Sequence, residues 1–143
     1  MKRLFALMCV VFAASSAAAD LDPANELARR SNLPASEVAA LLATCESSDA
    51  SQMSINFCAW RDLIVAEHKL QHVVDDRNAQ APKCANALAK KISAWKKKRD
   101  AGCEKSAKLD YGGGSMLPTA VAMCETAETQ LMTKKMTSHS ACH

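Results

Sequence analysis

The clearest structural signal in this chain lies in Leu88-Ala-Lys-Lys-Ile92-Ser-Ala-Trp95-Lys-Lys-Lys-Arg99-Asp-Ala-Gly-Cys103. Spacing of about 3.6 residues predicts one inward stripe with five lysines crowded around the rest of the helix. The stripe comprises Cys84, Leu88, Ile92, Trp95, Arg99 and Cys103, and the lysines are Lys90, Lys91, Lys96, Lys97 and Lys98. We therefore expect an amphipathic helix that packs on other helices and carries a half-cystine at each end.

Residues 1–19 have the pattern of a secretory signal peptide. Lys2 and Arg3 form a basic start, an apolar run extends from Leu4 to Ala14, and small residues from Ala17 to Ala19 offer a cleavage site. The apolar run is too short to span a bilayer, and no later stretch is apolar enough to do so. We expect a periplasmic or secreted protein that begins at Asp20 and has no membrane span.

Removing 19 of the 143 residues leaves 124, which is the size of one domain. Lys2 and Arg3 leave with the signal peptide, so 18 basic side chains become 16 against 15 acidic ones, a net charge of +1. That balance gives no support for nucleic-acid binding. Few aromatic residues remain, which predicts a thin core that benefits from disulfides.

Six cysteines remain in the exported chain: Cys45, Cys58, Cys84, Cys103, Cys124 and Cys142. An even number in an exported protein predicts three disulfides, and the wide gaps argue against zinc. In an antiparallel hairpin, the residue numbers of two facing residues always add up to about the same value, which is twice the number of the residue at the turn. By this criterion Cys103–Cys124 and Cys84–Cys142 both fit a hairpin whose turn is centred on Gly113. Cys45–Cys58 then remains. The alternative is Cys58–Cys103, which centres on the turn before Pro82.

Two short helices are expected in an N-terminal segment, residues 20–44. Asp22 as N-cap and Pro23 at the first helical position favour a helix within residues 20–33, and a second helix runs from Ser36 towards Cys45. A long helix is predicted over residues 52–77. Its inward stripe comprises Ile55, Ala59, Leu63, Ala66, Leu70 and Val73.

Residues 78–82 are predicted to form a turn, and the helix that follows fades near Lys108. Residues 110–115 are expected to be a loop, because each glycine in a helix costs about 1 kcal/mol. Ser115 is the predicted cap of a last helix that ends near Ser138. Its expected inward residues are Leu117, Val121, Cys124, Ala127 and Leu131. The sequence thus predicts an all-α, disulfide-stapled bundle of three main helices plus one or two short N-terminal ones.

Three segments carry a family resemblance: Cys45…Gln52-Met-Ser-Ile-Asn-Phe-Cys58-Ala59, Trp95-x3-Arg99-Asp100-x2-Cys103 and Gly113-Gly114-Ser115-Met-x-Pro118…Cys124…Thr129. Together they resemble the LprI-type lysozyme-inhibitor domain family over about residues 45 to 136. The resemblance implies an exported helical protein, with residues 45–143 as the LprI-like domain. One member of that family is described as inhibiting lysozyme, so a protein-binding function is also implied.

Trp95 and Arg99 lie one helical turn apart. The guanidinium can therefore stack on the indole and pair with a carboxylate of a neighbouring helix, such as Asp62 or Glu67. We interpret this arrangement as a structural tie between helices, because charged groups at the edge of a core are normally paired. A role in binding a ligand is the alternative.

The candidate binding loop contains Tyr111, Gly113, Gly114 and Ser115. Glycine lets the backbone approach a partner closely, and amides at a helix N-terminus can bind carboxylates. Such a protrusion could enter the cleft of a glycan hydrolase and engage its catalytic carboxylates. The alternative interpretation is a plain turn between two helices.

Two sets of residues have metal-ligand chemistry: His68 and His72 with Asp75 and Asp76, and Met132, Met136, His139 and His143. We interpret them as solvated histidines and gap-filling methionines, and expect no metal or cofactor. The chain has no nucleophile motif or phosphate loop, so we do not expect an enzyme.

The sequence predicts an exported helical domain, and the resemblance implies that it is a protein-binding module. The partner would be a lysozyme-type muramidase, which the module would inhibit, or another envelope protein. One alternative function is an envelope structural or interaction protein without inhibitory activity, and a further one is a periplasmic metal-binding protein.

Overall fold

The computed structural model describes residues 22–138, and this part of the chain contains only helices and connecting turns. The helices are α1 (Pro23–Ser31), α2 (Ala35–Leu42), α3 (Gln52–Gln80), α4 (Ala85–Tyr111) and α5 (Leu117–Ser138), with a 3-10 turn at Pro82–Cys84. The predicted class, three main helices preceded by two short ones, is confirmed. No described helix is both long and apolar enough to cross a membrane. The predicted signal peptide lies outside the described residues.

Local capping explains where several helices begin and end. The Asp22 carboxylate accepts a hydrogen bond of 2.9 Å from the amide two residues on, at the start of α1. The Ser51 hydroxyl likewise accepts one of 3.1 Å from the Ser54 amide, at the start of α3. Gly112 ends α4 with a φ of +59°, a conformation that glycine adopts without strain, and donates its amide to the Lys108 carbonyl.

Helices α3 and α5 run parallel to each other, and α4, which connects them, runs antiparallel to both. Near the start of both helices, the Thr119 hydroxyl donates to the Asn56 side-chain oxygen. Near the end of both, the Arg77 guanidinium donates to the Met136 carbonyl. The turn between α4 and α5 therefore lies at the end of the bundle where α3 begins.

The core follows α3 as three clusters of buried side chains. The first packs α1 and α2 against α3 and contains Leu27, Val38, Phe57 and Ile64. The second joins α3 to α5 and contains Ala59, Leu63 and Ala122. The third joins α3, α4 and α5 and contains Leu70, Val74, Leu88 and Met136. Because α3 buries two faces, its single predicted stripe is incomplete. Ile55, expected to point inward, is 36% exposed.

Two of the five residues predicted for the inner face of α5 are exposed, so the prediction is wrong at those positions. Ala127 is exposed and Leu131 is 58% exposed. The buried positions are Thr119, Ala122, Thr129 and Met136. Along this face a hydroxyl donates to the carbonyl four residues earlier at each of Thr126, Thr129 and Thr133. A threonine bonded in this way buries its methyl group without an unpaired hydroxyl, so apolar periodicity alone misses the face.

Two disulfides have both partners within the described residues. Cys45–Cys58 joins the loop after α2 to α3, and Cys103–Cys124 joins α4 to α5, each with Cα atoms 5.6 Å apart. Both are predicted pairs, and they exclude the alternative Cys58–Cys103. Cys84 is also disulfide-bonded. Its predicted partner, Cys142, lies outside the described residues, so that pairing stays a prediction.

Candidate functional site

The candidate loop forms the end of the α4–α5 hairpin. Helix α4 continues to Tyr111, so Tyr111 closes the helix rather than lying in the loop as predicted. Residues 112–116 form the turn and are exposed. The Gly114 amide donates to the Tyr111 carbonyl at 3.2 Å, and the Leu117 amide donates to the Gly114 carbonyl at 3.0 Å. These backbone bonds give the turn a defined shape.

Three apolar side chains lie in solvent around this turn. Leu109 is 78% exposed, Tyr111 is 50% exposed and Met116 is 37% exposed. Between them the backbone is bare, because a Cβ atom added to Gly113 would meet nothing within 4 Å. These three exposed apolar side chains, close together in the chain, make the turn a candidate contact surface. We call residues 109–116 the tip.

Sequence reasoning missed Leu109 and Met116. Leu109 falls off the buried stripe of α4, which ends with Cys103 and Ala107. An apolar residue off the buried stripe was the sequence signal that could have indicated its exposure. Met116 precedes the first residue of α5, so it takes the capping position that was predicted for Ser115. Ser115 is exposed within the turn.

The tip stands on a covalently clamped hairpin. Eight residues of helix separate Cys103 from Tyr111, a rise of about 12 Å. The Cys103–Cys124 disulfide therefore ties α4 to α5 about two turns below the tip. A contact surface held in this way needs little ordering when a partner binds.

Arg99, by contrast, lies in the interior, where its side chain is only 2% exposed. All three guanidinium nitrogens donate: Nη2 to Glu67 at 2.9 Å, Nη1 to Thr129 at 2.6 Å and Nε to Asp100 at 2.8 Å. Its guanidinium carbon lies 5.3 Å from the ring centroid of Trp95. The stack and the pairing with Glu67 are the contacts that the sequence pattern suggested. Their geometry fits a tie between helices.

Glu67 on α3 brings together cations from α1 and α4. Lys96 Nζ lies 2.9 Å from Glu67 Oε1, and Arg30 Nη1 lies 3.9 Å from Oε2. Burial acts to raise the pKa of Glu67, but hydrogen bonds from Lys96 and Arg99 outweigh it and lower the pKa below its usual value. Glu67 is therefore ionised at neutral pH.

Two other carboxylates near this network behave differently. Asp62, the second partner that the sequence offered to Arg99, is 55% exposed and pairs with Arg61 at 2.8 Å. Glu125 on α5 is partly buried, and burial raises its pKa above the usual value. The opposing effect of the Arg99 charge is smaller. The surroundings of Glu125 thus disfavour its charged form.

The two candidate sets of metal ligands lie in different parts of the chain. His68 and His72 lie side by side on α3, with ring centroids 4.3 Å apart and planes 89° apart. Within residues 22–138, no three side chains of histidine, cysteine or acidic type come together as a metal site. In the second set, Met136 lies in the third core cluster and Met132 packs against it. The histidines of that set, His139 and His143, lie outside the described residues.

A family model described as "Lysozyme inhibitor LprI" matches residues 43–136. The chain belongs to the LprI family. The match includes α3, α4, most of α5, both described disulfides and the tip, and it leaves out α1 and α2. The LprI family is described as one of inhibitors rather than of enzymes. A search of curated proteins and a search of solved structures each find no match.

Proposed function

We propose that this LprI-family protein is an exported protein-binding module that inhibits a lysozyme-type muramidase through its tip. The family description supports an inhibitor. The observation that carries the proposal is the exposure of Leu109, Tyr111 and Met116 around a bare glycine turn.

Two features of the tip suit entry into a cleft. Gly113 keeps the turn thin, and Tyr111 offers a large amphipathic side chain of the type that dominates protein interfaces. Muramidases hydrolyse glycans in a cleft that carries two carboxyl groups. A rigid protrusion seated in that cleft would exclude the glycan without undergoing any reaction itself.

Charge contributes little to this association. The exported chain is expected to carry a net charge of only +1, so it gains little electrostatic steering toward any partner. Binding would then depend on contacts at the tip, and we expect inhibition to change little with salt concentration.

An exported location supports the proposal, since muramidases act on the cell wall. The predicted signal peptide and the two disulfides are typical of proteins that mature outside the cytoplasm. The protein would therefore be periplasmic or secreted. An envelope protein without inhibitory activity is the alternative that an inhibition assay separates.

The test follows the lysis of a cell-wall suspension by muramidases of several structural classes, with oxidised protein of residues 20–143. We expect saturable slowing with at least one class. Gly113→Arg should abolish it by placing a long side chain at the tip. Gly102→Arg is the matched control, because both glycines have open space for a side chain and Gly102 lies about 15 Å along α4.

A second pair of variants tests the exposed side chains. Tyr111→Ala should weaken inhibition at least tenfold if Tyr111 anchors the interface. Leu131→Ala removes a similarly exposed apolar side chain from α5 outside the tip and should have no effect. Absence of slowing at stoichiometric excess with every muramidase class would refute the proposal. Equal inhibition by the two glycine variants would refute the assignment to the tip.

A further inference from the structure

A groove between α1 and α3, separate from the tip, has the features of a small-molecule site. We propose that it binds an amphiphile with a carboxylate head and an apolar tail, of the fatty-acid type. The tail would lie in the apolar part of the groove and the head on Arg30. This proposal is independent of muramidase inhibition.

The apolar part of the groove has a volume of about 550 Å³. Ligand pockets commonly have volumes of about 300–1,000 Å³ and mostly apolar walls with a few polar groups. Here the apolar walls are Leu27, Leu33, Phe57, Trp60, Leu63 and Ile64. The volume and walls therefore suit an alkyl chain.

Two aromatic side chains line one wall, and one of them, Trp60, leaves apolar surface accessible. Phe57 and Trp60 pack edge to face with ring centroids 5.1 Å apart, which fixes both rings. Trp60 and Leu33 contact the first core cluster, yet both remain only partly buried. An alkyl chain placed against them would remove this apolar surface from water, which is favourable.

Arg30 lies where this groove meets a second, more polar one of about 270 Å³. The Arg30 side chain is 48% exposed, and its Nε donates to Glu26 at 2.6 Å. Its Nη1 lies 3.9 Å from Glu67, beyond hydrogen-bond distance. The outer edge of the guanidinium can therefore bind a carboxylate, the partner that its paired N–H groups fit best.

The acidic residues beside Arg30 each have another cation. Glu26 also pairs with Arg29 at 2.6 Å, and Glu67 pairs with Lys96 at 2.9 Å. If a ligand carboxylate displaced Glu26 or Glu67 from Arg30, each of them would still be paired with its other cation. A cationic head would instead face Arg30 and Lys96. This difference in charge assigns an anionic head to the ligand.

The test titrates dodecanoate into oxidised protein of residues 20–143 by calorimetry, below the micelle concentration. We expect saturable binding of one molecule per chain, with the indole N–H resonance of Trp60 shifted in a ¹H–¹⁵N spectrum. Dodecyltrimethylammonium, which has the same tail, should bind at least tenfold more weakly. Absence of saturable dodecanoate binding, or equal affinity for the two amphiphiles, would overturn the proposal.

Two arginine variants test the position of the head. Arg30→Gln should weaken dodecanoate binding about tenfold, as expected for loss of a charge-assisted hydrogen bond. Arg29→Gln is the matched control, since Arg29 shares Glu26 but is 71% exposed and lines neither groove. An equal effect of both substitutions would overturn the assignment of the head to Arg30. Leu33→Trp, which fills the groove, should abolish binding while the unfolding midpoint shows that the variant folds.

Discussion

Arg99 on α4 and Thr129 on α5 share a hydrogen bond of 2.6 Å in the interior of the bundle. The Thr129 hydroxyl accepts from Arg99 Nη1 and donates its own proton to the Glu125 carbonyl, also at 2.6 Å. Thr129 is completely buried, at 0% exposure. The hydroxyl of Thr129 therefore pairs with one N–H group of a buried cation, while its methyl group packs like an apolar side chain.

Replacing Thr129 with valine keeps the shape and removes the acceptor. We expect Thr129→Val to lower the free energy of unfolding by about 2 kcal/mol, because a charged donor loses its buried partner. Thr133→Val is the control, since that hydroxyl donates to the Thr129 carbonyl of its own helix. Urea unfolding followed by circular dichroism, with disulfides intact, measures both. Equal losses would show that the bond to Arg99 contributes nothing special.

Glu67→Gln tests the carboxylate that joins α1, α3 and α4. At neutral pH we expect a loss of about 2 kcal/mol in unfolding free energy, because Arg99 and Lys96 both lose an anionic partner. The folded-state pKa of Glu67 is lowered from 4.5. Its stabilisation is thus present above 4.5 and lost as pH falls through the lower folded value.

The measurement for Glu67 compares urea midpoints of the two proteins across an acid titration. The difference between wild type and Glu67→Gln should shrink as the pH falls below 4.5. A difference that stayed constant into strong acid would mean that the charge of Glu67 does not stabilise the fold.

Glu125 should behave in the opposite way. Burial raises its folded-state pKa above 4.5, so its contribution is most favourable below that pH and is lost as pH rises through the folded value. Glu125→Gln should therefore raise the unfolding free energy at neutral pH and leave it unchanged in acid. The exposed Glu128 on the same helix provides the control substitution, Glu128→Gln. Destabilisation by Glu125→Gln at neutral pH would contradict the prediction.

The two described disulfides should differ in their effect on function. Removing either pair as a double serine variant is expected to cost about 3 kcal/mol of stability. Loss of Cys103–Cys124 should also weaken muramidase inhibition, since that bond holds the hairpin below the tip. Loss of Cys45–Cys58 should leave inhibition intact in the folded protein. The lysis assay, run well below each unfolding midpoint, distinguishes these results. The reverse order would place the inhibitory surface near α2 and α3.

The sequence was sufficient wherever a local signal fixes the structure. Asp22 and Pro23 predict the start of α1, and hairpin spacing predicts the Cys103–Cys124 disulfide, with Cys45–Cys58 as a remaining pair. It failed where the signal was not apolar. Thr129 is buried and Leu131 exposed, because hydroxyl groups bonded within α5 made threonines suitable for the interior.

The candidate surfaces were predicted unevenly for a similar reason. A run of glycines marks the tip in the sequence, but the exposure of Leu109 and Met116 depends on how α4 and α5 pack. The apolar groove could not be predicted, because it exists only where Leu33 and Trp60 come together from distant parts of the chain.

The described disulfides have a further consequence for the assembly of the fold. Cys45–Cys58 lies before the turn at Pro82–Cys84, and Cys103–Cys124 lies after it. Neither of these two bonds joins α3 to the α4–α5 hairpin, and non-covalent contacts such as Arg99 with Glu67 hold that junction among the described residues. If the chain were cleaved beside the exposed Lys83, neither described disulfide would link the two fragments. The two oxidised fragments should then recombine on mixing into the intact bundle.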